Sequence, residues 1–155
     1  MDLRELRKSN NLTQAEAALL IGVPYRTYIR YEEDENYKKS YKYKAFFEDL
    51  NNKLKIDEEH GVYTVERIKE ILSPILDKHN IKYCYLFGSY AKEQAKPTSD
   101  IDLLVDTDIT GLAFLKLIEE MRTSLSKKVD LLRLKDLEPG NPIVLDILKE
   151  GVRLI

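Results

Sequence analysis

The apolar pattern of the chain changes period once, across the polar stretch KIDEEHG at residues 55–61, and this change governs what the chain can build. Before the break, apolar residues recur only at helical spacing. After it, helical stretches alternate with runs of strand-forming residues, so a sheet belongs to the second part alone. A polar break between two kinds of periodicity is where a domain boundary falls. Residues 1–56 are therefore expected to form an all-helical module and residues 62–155 a separate domain with a small mixed β-sheet flanked by helices. The fold class is α+β.

In the first part, residues 3–9 have a short helical pattern, and Thr13 followed by Glu16 forms a capping box for a second helix. Gly22 suits the end of that helix and Pro24 the first turn of a third. Two helices then meet across a tight turn. On the third helix Tyr28 and Tyr31 are expected to pack toward Leu19 or Leu20, leaving Tyr25, Arg26 and Arg30 toward solvent. Tyr43, Phe46, Phe47 and Leu50 form the apolar stripe of a further helix over residues 40–54.

In the second part Thr64 can cap a long helix whose period runs through Pro74, where a kink is expected. Strands are expected over residues 81–87, 100–106 and 127–134. Helices are expected from Ser89, over residues 112–125 and over residues 142–150, with a short edge strand at residues 152–155.

Composition excludes several classes. Cys84 is the only cysteine, and His60 and His79 lack zinc-site spacing, so neither an intrachain disulfide nor structural zinc is expected. No apolar run approaches the roughly 18 residues of a membrane span, and the reading is cytoplasmic with no membrane partner. Residues 1–56 carry 11 basic and 9 acidic groups and the remainder 14 and 18. This slight asymmetry permits nucleic-acid contact by the first part without arguing for it.

The chemistry is concentrated in FGSYAKEQAKPTSDIDLLVD, residues 87–106. Phe87 ends an apolar strand, and Gly88 and Ser89 form a turn whose following amides lack intrachain partners. Gly88 lets a phosphate approach the backbone, Ser89 adds a hydroxyl, and a helix start favours negative charge. After ten intervening residues come Asp100 and Asp102, which at i and i+2 on a strand share a face. Two such carboxylates repel each other unless a cation lies between them. Asp130, within the apolar run VDLL, is a third candidate, because an unpaired carboxylate is costly to bury there. Mg²⁺ takes oxygen ligands and suits a few carboxylates together with triphosphate oxygens, which points to nucleotidyl transfer from a nucleoside triphosphate.

The combination of Gly88-Ser89, Asp100-x-Asp102 and Asp130 on a later strand resembles the DNA polymerase β-like nucleotidyltransferase superfamily, in its minimal (MNT) branch, over residues 62–155. The resemblance implies that Asp100 and Asp102 bind metal, and that Asp130 completes the metal and catalytic set while helping to deprotonate the acceptor. Where relatives often read Ala-Arg-Gly after the Gly-Ser turn, this chain has Ala91-Lys92-Glu93, and Lys92 joins Gly88 and Ser89 as a nucleotide-binding candidate. Minimal nucleotidyltransferases of this kind commonly act as antitoxins of HEPN-domain ribonuclease toxins, adenylylating a toxin tyrosine with ATP as donor. The implied cofactor is Mg²⁺.

Residues 2–35, with LTQAEAALLIGVPYRTYIRYEE, resemble the Cro/repressor type of helix-turn-helix. That resemblance implies Gln14 on DNA phosphate, with Tyr25, Arg26 and Arg30 on bases of the chain's own operator, bound better by a homodimer. A rival reading keeps the same fold as a non-catalytic antitoxin and DNA-binding repressor, separated from the enzyme by metal-dependent turnover.

Overall fold

A computed structural model describes residues 1–155. The chain divides into two compact units, Met1–Lys55 and Ile56–Ile155. The first holds α1 (Leu3–Ser9), α2 (Gln14–Leu20), α3 (Tyr25–Glu33) and α4 (Tyr41–Leu54). Thr13 opens α2 with the expected box: its hydroxyl accepts from the Glu16 amide at 3.2 Å, and the Glu16 carboxylate accepts from the Thr13 amide at 2.7 Å. Asp2 and Glu5 repeat the device at α1.

The core of this unit gathers Leu3, Leu6, Ala17, Ala18, Tyr28, Tyr31, Tyr43 and Leu50. Tyr28 and Tyr31 are buried as expected, but their neighbours on α2 are not the leucines. Leu19 is 82% exposed and Leu20 39%, whereas Ala17 and Ala18 face inward. Small side chains at those positions make room for the tyrosine rings of α3. Glu32 is buried and held by Arg7, whose Nε and Nη2 donate to its two oxygens at 2.7 and 2.8 Å. A two-point arginine-carboxylate pair of this kind fixes α1 against α3 in one geometry.

The second unit contains α5 (Val65–Lys78), β1 (Cys84–Phe87), α6 (Gly88–Ala91), β2 (Ile101–Val105), α7 (Gly111–Leu125), β3 (Val129–Arg133), α8 (Pro142–Glu150) and β4 (Val152–Arg153). Thr64 caps α5, which runs through Pro74 as one helix. The four strands form a mixed sheet in the order β3-β2-β1-β4, with β2 and β3 parallel and the other pairs antiparallel.

Strand alternation gives the sheet two faces. Cys84, Leu86, Ile101, Leu103, Val105 and Leu131 meet the apolar sides of α5 and α7 in the main core. Phe87 and Leu104 on the other face pack with Ile147 of α8. Asp102 lies two residues from Leu104, so it belongs to the α8 face.

Candidate active site

The site is built at one end of that face. Phe87 and Asp102 are register partners across β1 and β2, and Asp102 and Asp130 are partners across β2 and β3. Parallel pairing therefore sets two of the predicted carboxylates side by side on one face. Asp100 stands just ahead of β2 in an exposed position, rather than on the strand as expected. Asp130 is also exposed, a correction to the buried position expected, because β3 is an edge strand. Asp102 alone is partly enclosed.

Burial raises the Asp102 carboxyl to about 6, reinforced by repulsion from Asp130 and then Asp100. A divalent cation would relieve that repulsion, and three carboxylates are the hard oxygen donors such a cation takes. No three acidic, histidine or cysteine side chains stand close enough to enclose a metal ion by themselves. The carboxylates form an open acidic face, whose coordination shell would need phosphate oxygens or water for completion. In that sense the residues present fit a metal-nucleotide complex better than a metal alone.

Gly88 explains why the turn can lie over this face. Its φ is +69°, a left-handed conformation that favours glycine, and a Cβ there would run into the Asp102 carboxylate. The backbone of the turn thus comes directly against the central acid. Ser89 and Lys92 follow on α6, which corrects the longer helix expected from Ser89: it is a single turn with Lys92 as its C-cap. Glu93 ends it at φ +56°, in the left-handed conformation. A four-residue turn has little macrodipole, so any phosphate contact depends on its amides, which no side chain caps at Phe87.

Lys92 has partners that sequence reasoning missed. Its Nζ is 2.9 Å from Asp146 and 3.4 Å from Glu150, both on α8, and these carboxylates raise its pKa. Lys127 was also missed. It is 1% exposed between α7 and β3, whereas its neighbour Lys128 is exposed. Nothing in the run SKKVD separates the two lysines by eye, and only the path of the surrounding chain decides which is interior.

In the N-terminal unit Tyr25, Arg26 and Arg30 share the exposed side of α3, as expected. Gln14 is engaged within the protein: its amide donates to Glu32 at 2.9 Å and to Glu33 at 3.3 Å.

Comparison with known proteins agrees with both halves. The polymerase beta nucleotidyltransferase family profile matches residues 66–155, and a helix-turn-helix profile matches residues 3–39. A protein of Methanocaldococcus jannaschii, named provisionally as a protein adenylyltransferase, is 40% identical over 78 residues, covering 48% of this chain and 83% of its own. The protein adenylyltransferase MntA of Thermococcus cleftensis is 33% identical over 98 residues, covering 59% of this chain and 97% of its own. A crystal structure of a toxin-antitoxin with AMP-PNP superposes with a TM-score of 0.49 at 25% identity, over 56% of this chain and 72% of that one. With the family match spanning more than half of its length and the Gly-Ser turn seated on Asp102, the chain belongs to the polymerase beta nucleotidyltransferase family, with a helix-turn-helix ahead of the transferase fold.

Proposed function

We propose that this nucleotidyltransferase moves AMP from ATP to a tyrosine of a partner protein, a HEPN-domain toxin, and so serves as the antitoxin of the pair. The observation that carries the reading is the α8-side face of the sheet, where Gly88 brings the turn backbone against Asp102 while Asp102 and Asp130 lie in register. The relatives named as protein adenylyltransferases support AMP as the transferred group and protein as the acceptor. The MNT resemblance supports the toxin.

On this reading Asp100, Asp102 and Asp130 hold Mg²⁺, and Gly88, Ser89 and Lys92 receive the triphosphate. Bound Mg²⁺ would supply charge neutralisation along the triphosphate and on the departing pyrophosphate. The acceptor oxygen attacks the α-phosphorus, a new O–P bond forms, and the bond from the α-phosphorus to the bridging oxygen breaks. Free phenol has a pKa of about 10 and needs a base at neutral pH. Asp130, exposed on its edge strand, can take that proton and pass it to water. Its exposure also suits an acceptor that arrives as a whole protein.

Nucleotide binding tests the site. Mg²⁺ is expected to tighten ATP binding at least ten-fold, and the Asp100→Ala, Asp102→Ala double variant is expected to abolish the gain. Equal affinities for wild type and variant would remove the site assignment.

For the N-terminal unit we propose operator binding. The exposed Tyr25, Arg26 and Arg30 on α3 support base contact. Gln14 would have to exchange Glu32 and Glu33 for a DNA phosphate.

A further inference from the structure

The ammonium of Lys127 has three protons and three carbonyl partners. It donates to Gly61 O at 2.8 Å, to His60 O at 3.2 Å and, at close range, to Pro97 O. The side chain is 1% exposed, and burial pulls its pKa down. The Asp57 carboxylate attracts the charge and offsets part of that burial effect. A buried cation is tolerated only when its donors are satisfied, and here three backbone carbonyls do so.

The placement of these partners in the chain gives the lysine a second consequence. Pro97 lies three residues before Asp100, and Lys127 lies three residues before Asp130. Between Pro97 and Asp100 the chain is closed by a small turn: the Ser99 amide donates to Lys96 O at 2.9 Å, and the Lys96 amide to the Ser99 hydroxyl at 2.8 Å. Directly beyond the lysine, Lys128 O accepts from the Ile101 amide at 2.9 Å, where the β2-β3 pairing begins. One ammonium group therefore ties together the two segments that deliver Asp100 and Asp130 to the face of Asp102.

We propose that Lys127 is the positioning residue of the acidic site, setting the spacing of Asp100 and Asp130 about Asp102 by clamping the loop before β2 to the segment before β3. The lysine touches no substrate, and its effect passes through the backbone. The proposal rests on the assignment of those three carboxylates to the metal-nucleotide site. Removing the ammonium takes its donor from the Gly61 and Pro97 carbonyls and leaves His60 O with the Asp57 amide. It also loosens the Lys96–Ser99 turn from the segment before β3, which then stays joined to β2 through the Ile101–Lys128 bond. Arginine retains the charge but offers a planar fork in place of a three-donor tip, so it restores the arrangement only in part.

The test measures binding of Mn²⁺ together with α,β-methylene-ATP to the full chain, by calorimetry and by the resonance signal of free Mn²⁺. Thermal stability is recorded in EDTA. Lys127→Met is expected to weaken binding at least ten-fold and Lys127→Arg about three- to ten-fold. Leu72→Ala serves as the control, since it removes a fully buried side chain from α5, a helix that carries no site residue. It should lower the melting temperature yet keep affinity within two-fold. Binding by Lys127→Met within two-fold of wild type would overturn the proposal, as would an equal loss in Leu72→Ala. If Lys127→Met does not fold, Lys127→Arg decides, and wild-type affinity there overturns it. Asp102→Asn separates the two readings: unchanged binding in that variant means the carboxylate assignment itself has failed, whereas its loss with Lys127 variants unaffected removes only the role of the lysine.

Discussion

Asp102 pays for its place at the centre of the acidic face, and pH exposes that cost. A carboxyl raised to about 6 in the folded chain holds its proton through a range where the unfolded chain, at about 4, has lost it. Without divalent metal, stability should thus be highest below about pH 4 with respect to this group and fall as pH rises to about 6. Asp102→Asn should remove that dependence and stabilise the metal-free protein near pH 7 by about 1 kcal/mol after solvent screening, or about 4–8 °C in melting temperature. Melts in EDTA between pH 4 and 7.5 check it. Lys92 obeys a different balance. Asp146 and Glu150 occupy its ammonium and compete with any triphosphate. Asp146→Asn with Glu150→Gln should tighten ATP binding about three- to ten-fold in an equilibrium titration at low salt, with the gain fading as salt screens the charges. Neither carboxylate was legible as a partner of Lys92 from sequence, because 54 residues separate Lys92 from Asp146 and only the packing of α8 on the sheet brings them together.

At the scale of elements, the sequence was most informative where local chemistry decides. The strand runs around Leu86, Leu103 and Leu131 declare their own period, and Thr13 and Thr64 mark the starts of α2 and α5. Long-range placement was less legible. An apolar run with an acid in it gives no sign of being an edge strand, so Asp130 was expected to be buried. Likewise the helix-forming residues after Ser89 conceal that Glu93 turns left-handed and stops α6 after one turn. Gly88 joins the two kinds of information, since a glycine after a strand suggests a turn and the fold shows what fills the place of its missing Cβ. Gly88→Ala meets both the left-handed penalty of about 1–2 kcal/mol and the Asp102 carboxylate. It should destabilise the transferase unit by at least that amount and weaken Mg²⁺-dependent ATP binding more than ten-fold. A variant with wild-type affinity would show that the turn does not lie against the nucleotide.

The molecule as a whole combines two units with separable readouts. The helix-turn-helix unit should bind DNA upstream of its own gene in a salt-sensitive manner, since its affinity would come largely from phosphate contacts. Arg26→Ala and Arg30→Ala should each reduce sequence preference by about 1–3 kcal/mol in titrations on operator and random DNA, without changing ATP binding. Loss of preference in neither variant would assign that side of α3 to another role. The transferase unit bears the central claim, and the most direct measurement is the intact mass of the partner toxin after incubation with this protein, ATP and Mg²⁺. The account predicts that the toxin gains whole AMP units, and that Asp130→Asn stops the gain while complex formation persists. A toxin that is inhibited with no change in mass would contradict it.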